Sequence, residues 1–194
     1  MTVQDIPDGP APNIPTGLTT RLRPRQRVPD LSFSLTDGTP WRLRDRSPRT
    51  FTMLVVYRHH HCGVCRSYIG ALAGVLPRFH ALGVEPVAVS TDGREDARAV
   101  VADWGLGDLP VGHGLPFAAG GPWGLYLSSG RRDTDPDRFF EPALFLIDAD
   151  GCLYYASIQS MPFGRTPLAD ILDWVPKLVD GNIPARGELA VPGA

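Results

Sequence analysis

Apolar residues fall into blocks whose period changes along the chain, and the changes mark the elements. Residues 51–57, Phe-Thr-Met-Leu-Val-Val-Tyr, are apolar or β-branched throughout, the pattern of a strand buried on both faces. Beyond them Ile69, Leu72, Ala73, Leu76 and Phe79 recur at helical spacing, a stripe that predicts a helix over 63–81. Residues 84–89, Val-Glu-Pro-Val-Ala-Val, predict the next strand, and Ala97, Val100, Val101 and Trp104 the stripe of a second helix. Such a β-α-β-α order implies a sheet with parallel strands, right-handed crossovers and helices on both faces.

On the amino-terminal side, 31–35 and 41–43 read as two short strands joined through Asp37 and Gly38, an N-terminal β-hairpin. From 105 to 142 the period is lost in Gly- and Pro-rich sequence, with residues 123–126 ending a short helix. The clearest hairpin signal is 143–148, a turn at 149–151 and then 152–156, expected to close one side of the sheet. Leu168, Ile171, Leu172, Val175, Leu178 and Val179 mark a last amphipathic helix, which Pro176 should kink. Residues 1–27 read as an irregular extension, 28–180 as one domain and 181–194 as a tail.

Composition narrows the partners. With 43% hydrophobic and 21% charged residues, 194 residues suffice for one well-buried domain. A net charge of −2 gives no general attraction to nucleic acid or anionic lipid. No apolar run is long enough to span a bilayer, and residues 1–17 carry Asp and Pro where a signal peptide has a basic start and an apolar core. The expectation is a cytoplasmic protein whose thiols rest reduced.

The chemistry concentrates in residues 57–66, Tyr-Arg-His-His-His-Cys-Gly-Val-Cys-Arg. Cys62 and Cys65 form a C-x-x-C pair where the buried strand gives way to the helix, which places Cys62 at the first helical turn. Unpaired N–H groups and the helix dipole favour a thiolate there and lower a cysteine pKa to about 3.5–7.5 from about 8.5. Cys62 is thus the candidate nucleophile and Cys65 the resolving thiol. Two other readings stand beside this one: half of a zinc site, although Cys152 stands alone, and a pair of inert buried thiols. Three histidines precede Cys62. If 59–61 stay extended, His59 and His61 share one side and could join Cys62 and Cys65 as ligands of copper, zinc or iron. Otherwise His61 tunes the thiolate or moves protons, and Arg58 and Arg66 lower the thiol pKa or bind an anion. Cys152 reads as a packing residue.

The order of these elements resembles the thioredoxin fold, closest to its redoxin and peroxiredoxin-like, AhpC/TSA-type branch. The resemblance covers roughly 28–180 and rests on Val28-Pro-Asp-Leu31 with Asp37-Gly38, on His61-Cys-Gly-Val-Cys65, and on residues 141–151, Glu-Pro-Ala-Leu-Phe-Leu-Ile-Asp-Ala-Asp-Gly. It implies an α/β, thioredoxin-like three-layer fold with a central mixed sheet. It also implies an oxidoreductase acting on disulfides or peroxides, with no resident cofactor and an external thiol reductant such as thioredoxin, glutaredoxin or a small thiol. In this fold the proline opening the late strand is cis and lies against the C-x-x-C, and Pro142 holds the matching place. Two departures stand out. Typical peroxiredoxins place Thr or Ser three residues before the reactive cysteine, where this chain has His59, and an Arg near the late strand, where it has Glu141 and Pro142. Arg58, Arg66, Arg138 or a histidine would have to substitute. The alternative keeps the fold but makes it a metal-binding protein, or a specialised metalloenzyme, using His59, His61, Cys62 and Cys65.

Overall fold

Two-sided burial of one strand organises the fold. The computed structural model describes residues 22–190. Its elements are β1 (Ser32–Leu35), β2 (Pro40–Arg42), β3 (Phe51–Val56), α1 (Gly63–Gly74), α2 (Leu76–Ala81), β4 (Val84–Val89) and α3 (Arg94–Trp104). They continue as β5 (Val111–His113), α4 (Gly120–Trp123), β6 (Leu127–Ser129), β7 (Arg138–Phe140), β8 (Ala143–Asp148), β9 (Leu153–Ile158) and α5 (Leu168–Asp180). Every residue of β3 is buried, because β3 pairs in parallel with β4 on one side and antiparallel with β8 on the other. The sheet has seven strands in the order β2-β1-β5-β4-β3-β8-β9, and β6 and β7 form a separate ribbon.

Alternation along the strands divides the core. Met53 and Val55 of β3, with Leu144 and Leu146 of β8, pack on one face against Ile69, Leu72, Phe79, Val100, Trp104, Ile171 and Val175. Leu54, Val56, Phe145 and Ile147 face the opposite way, toward Trp123 and the loop residues Val28, Leu31 and Leu115. Helical cover is therefore uneven. The crossovers β3 to β4 and β4 to β5 step the same way across the sheet, so right-handedness sets α1, α2 and α3 on one face, and only the short α4 serves the other. Ile69, Leu72 and Phe79 are fully buried, each contributing roughly 1.5–3 kcal/mol, which anchors α1 and α2 beneath the C-x-x-C.

Three departures from the expected elements stand out. The single helix over 63–81 is broken at Val75 (φ −111°, ψ 8°), because Pro77 has no N–H for the preceding turn and fits the start of a new helix instead. A strand absent from the sequence reading, β5, joins β4 in parallel and β1 antiparallel. Its central Gly112 leaves room for the Phe33 ring, into which a Cβ at that position would press. The β6–β7 ribbon was likewise not anticipated in the patternless stretch. The last helix, α5, spans Leu168–Asp180 with Pro176 inside it, as the apolar stripe implies.

Much of the proposed extension, residues 1–21, and residues 191–194 of the tail lie outside the described residues. Residues 25–28 run along the β8–β9 turn, with the Arg25 and Val28 amides donating to Leu153 and Gly151 carbonyls. Among the described residues no helix is long and apolar enough to cross a membrane.

Candidate active site

Strand β3 delivers the chain to a point between two neighbours. Register pairs Val56 with Val89 of β4 and with Ala143 of β8, so the residues after 56 emerge at the joint edge of three strands. The Tyr57 amide still donates to Val89 (3.0 Å), after which a turn closes as the Cys62 amide donates to the His59 carbonyl (3.1 Å). Cys62 is the N-cap residue of α1, and its Sγ accepts from the Cys65 N–H at 3.3 Å. Cys65 lies one turn further in and is fully buried. Its Sγ accepts from the Arg58 N–H (3.4 Å) and from Nη2 of Arg165 (3.1 Å).

The two sulfurs differ sharply in acidity. For Cys62 the hydrogen bond from the Cys65 side chain is the largest influence, burial opposes it, and the Cys65 N–H with the charges of Arg58 and Arg165 lowers the pKa further, to about 6. For Cys65 burial dominates and pushes the thiol far above its usual range; the contact with Cys62 adds to this, and Arg165 pulls the other way. Near neutral pH the pair therefore holds one thiolate, on Cys62, and one thiol, on Cys65. A nucleophile beside a protonated partner with an adjacent sulfur can form and break a disulfide.

Arg58 lies at the site. Its guanidinium sits 4.5 Å over the Phe139 ring, and its Nε is 3.5 Å from Oε2 of Glu141. Arg66 turns away and donates to the Asp103 carbonyl (2.8 Å), while Arg138 lies over Phe117. Arg165, a hundred residues from Cys65, was not anticipated. It stacks over Tyr68 and is fixed by its Nε donating to the Pro162 carbonyl (2.8 Å). No local sequence pattern distinguishes it from other loop arginines.

The histidines do not alternate, because the turn at 59–62 replaces the extended chain that alternation requires. His59 is wholly buried against Phe139, with Nε2 3.6 Å from Asp135, and burial lowers its pKa to about 4. Asp135 is in turn held by Arg132 (2.9 Å). His60 contacts Asp103 through Nε2 (2.8 Å), and its amide donates to Asp92 (3.0 Å). His61 is exposed beside the His60 ring and makes no hydrogen bond to either sulfur. The set of His59, His61, Cys62 and Cys65 is thus not gathered, and among the described residues no group of three or more His, Cys, Asp or Glu stands ready to hold a metal.

Pro142 does lie by the site, lining a small cavity with Val55, Tyr68, Arg165 and Thr166. It is trans, however, since the described residues contain no cis peptide bond. Its carbonyl accepts from the Gln159 amide (2.9 Å), so the chain enters β8 already paired to β9, and trans is the lower-energy isomer by about 0.5–1 kcal/mol. Cys152 is remote, half-buried in a backbone bridge to Arg27.

Comparison with known proteins gives the family and supports the fold. The sequence pattern of the AhpC/TSA family matches residues 24–156. Among solved structures, a cysteine-to-serine mutant of the peroxiredoxin 6 of Arenicola marina superposes with a TM-score of 0.69 at 18% identity, covering 89% of this chain and 84% of that one. A peroxiredoxin-like protein from Aquifex aeolicus gives 0.67 at 14% identity, covering 81% and 88%. The reduced 2-Cys peroxiredoxin of Plasmodium vivax gives 0.64 at 18%, covering 82% and 83%. These likenesses establish the fold. No curated protein matches the sequence.

Proposed function

We propose, from the premise that this chain belongs to the AhpC/TSA family of thioredoxin-fold, peroxiredoxin-like oxidoreductases, that Cys62 is its nucleophile and Cys65 its resolving thiol. The observation that carries the proposal is the N-cap position of Cys62, where one sulfur receives the Cys65 amide and the favourable end of α1. With a hydroperoxide, the Cys62 thiolate attacks the outer oxygen; the S–O bond forms as the O–O bond breaks, and the departing alkoxide takes a proton. Cys65 then attacks the sulfenic sulfur, an S–S bond forms, and water leaves with the Cys65 proton. The two thiols supply both electrons. With a disulfide substrate the same attack gives a mixed disulfide that Cys65 resolves. Either cycle ends in a Cys62–Cys65 disulfide that an external thiol, of thioredoxin, glutaredoxin or small-molecule type, must reduce. A dithiol that rests reduced suits the cytoplasm.

The test is peroxide consumption with mass analysis of the product. Wild type should consume hydroperoxide and gain one internal disulfide linking residues 62 and 65. Cys62→Ser should be inert, and Cys65→Ser should stop at a sulfenic acid trapped by dimedone. Undiminished consumption by Cys62→Ser would overturn the assignment.

A further inference from the structure

Glu141 carries a carboxylate into the interior, and its surroundings say what it is for. Its side chain is 5% exposed. Oε1 accepts from the Ser128 hydroxyl at 2.8 Å, whereas Oε2 has no hydrogen-bond partner among the described residues. A buried charge persists only when another charge compensates it, and here Arg58 does so, with Nε 3.5 Å from Oε2. The sheet imposes this meeting. The antiparallel register pairs Val55 with Leu144 and Val56 with Ala143, so continuing it two residues past β3 sets Arg58 opposite Glu141.

The Arg58 head is then constrained on several sides. Phe139 lies under its plane, Glu141 faces Nε, and its own amide is committed to Cys65 Sγ. Among the described residues neither Nη group has a hydrogen-bond acceptor, so the outer edge of the guanidinium is what remains to meet a new anion. Charges also balance. Arg58 and Arg165 bring two positive charges to the dithiol, and among the described residues Glu141 is the one carboxylate that pairs with either. That leaves one positive charge, matched by one thiolate.

We infer that Glu141 is a positioning residue: its carboxylate holds the Arg58 guanidinium by Nε and so presents the Nη edge to the anion formed at Cys62. The inference rests on reading Cys62 as the nucleophile. It also accounts for the departure from the peroxiredoxin pattern at this strand. The arginine comes from the cysteine loop, and the late strand supplies its counter-charge. The Arg58 charge does act on Cys62, in the direction that favours the thiolate.

The sign of one shift tests this. The pH midpoint of Cys62 alkylation by iodoacetamide, located by mass spectrometry in the full chain, reports ionisation without requiring turnover. A carboxylate acting only as a nearby anion raises that midpoint, so Glu141→Gln would lower it. A carboxylate that holds Arg58 does the reverse: once freed, the guanidinium swings toward water, and the midpoint rises by about one unit. In an Arg58→Gln background there is no guanidinium left to release, so Glu141→Gln must not raise the midpoint there. Ser128→Ala, which loosens the carboxylate without changing charge, should give a smaller rise and carries the test if Glu141→Gln does not fold. A lower or unchanged midpoint in Glu141→Gln, or a rise in both backgrounds, overturns the inference. Should the shifts appear in a protein that consumes no hydroperoxide, the peroxidase chemistry fails while the Arg58–Glu141 arrangement stands.

Discussion

Removing the Cys65 side chain should weaken Cys62 as an acid, and the structure sets how far. The hydrogen bond from the Cys65 thiol heads the influences that lower the Cys62 pKa to about 6, ahead of the Cys65 amide, Arg58 and Arg165. A hydrogen bond to an ionised group contributes about 1.5–3 kcal/mol, equivalent to about 1–2 pKa units. In Cys65→Ala the amide at position 65 and both arginines remain, so the Cys62 midpoint should rise to between about 7 and 8 rather than to the value of a free thiol. At pH 7 the thiolate fraction would fall from about nine-tenths to between roughly a tenth and a half. Cys65→Ser keeps a hydroxyl donor of similar reach and should stay within about half a unit of wild type. The assay is the pH dependence of Cys62 alkylation with Cys152 replaced by Ser, so that a single thiol reacts. If Ala and Ser behave alike and both stay near the wild-type midpoint, helix and arginines suffice, and the S–H donor has no role.

Three further outcomes follow from contacts elsewhere. Arg165→Gln deprives Cys65 of its charged donor, so after a pulse of hydroperoxide the Cys62 sulfenic acid should persist about tenfold longer to dimedone trapping; unchanged resolution would dismiss the contact. Asp92 is raised from 3.8 to about 6, chiefly by burial, so its contribution to stability is fully present below about pH 3.8 and is lost as pH rises through about 6. Asp92→Asn, which keeps an acceptor for the His60 amide, should therefore be more stable than wild type at about pH 8 by roughly 1–3 kcal/mol and converge with it in acid, as urea titrations at the two pH values would show. Gly112→Ala drives a methyl into Phe33 between β1 and β5 and should cost about 1–3 kcal/mol, measured as a lowered urea midpoint; an unchanged midpoint would mean that the hairpin yields freely.

How much was legible depended on how local the cause was. The unbroken apolar run of β3 and the period of about 3.6 in the Ile69–Leu72–Phe79 stripe reflect burial of whole faces, and such burial leaves its mark in consecutive residues. The place of Cys62 at a helix start followed from the junction of those patterns. Strand β5 left no mark because three residues, Val-Gly-His, are too few to show a period, and the residue that packs best is the one without a side chain. The break at Val75 hid beneath an uninterrupted apolar stripe, although Pro77 was in view. At the site, Arg58 was within reach of reasoning because it adjoins the cysteines. Arg165 and Asp135 were not, since each comes to the site by a fold-level return of the chain. His61 drew attention by adjacency alone, and the turn at 59–62 points it to solvent.

One helical turn also orders the chemistry in time. Cys65 is held protonated by burial first and by its contact with Cys62 second, while Arg165 and the Arg58 amide both favour its thiolate. Oxidation of Cys62 to a sulfenic acid removes the neighbouring negative charge but leaves both donors in place. On the proposed assignment of Cys62 as nucleophile, the balance at Cys65 tilts toward ionisation only once Cys62 has reacted, so Cys65 is quiet before attack and activated after it. Cys62→Ser imitates the uncharged state, since the hydroxyl carries no negative charge near pH 7. In that variant the thiolate absorbance of Cys65 should develop at a lower pH than the second thiol of the wild-type pair, measured with Cys152 replaced by Ser in both. A Cys65 midpoint that does not move between the two proteins would show that burial alone governs it, and that the order of the two steps has another origin.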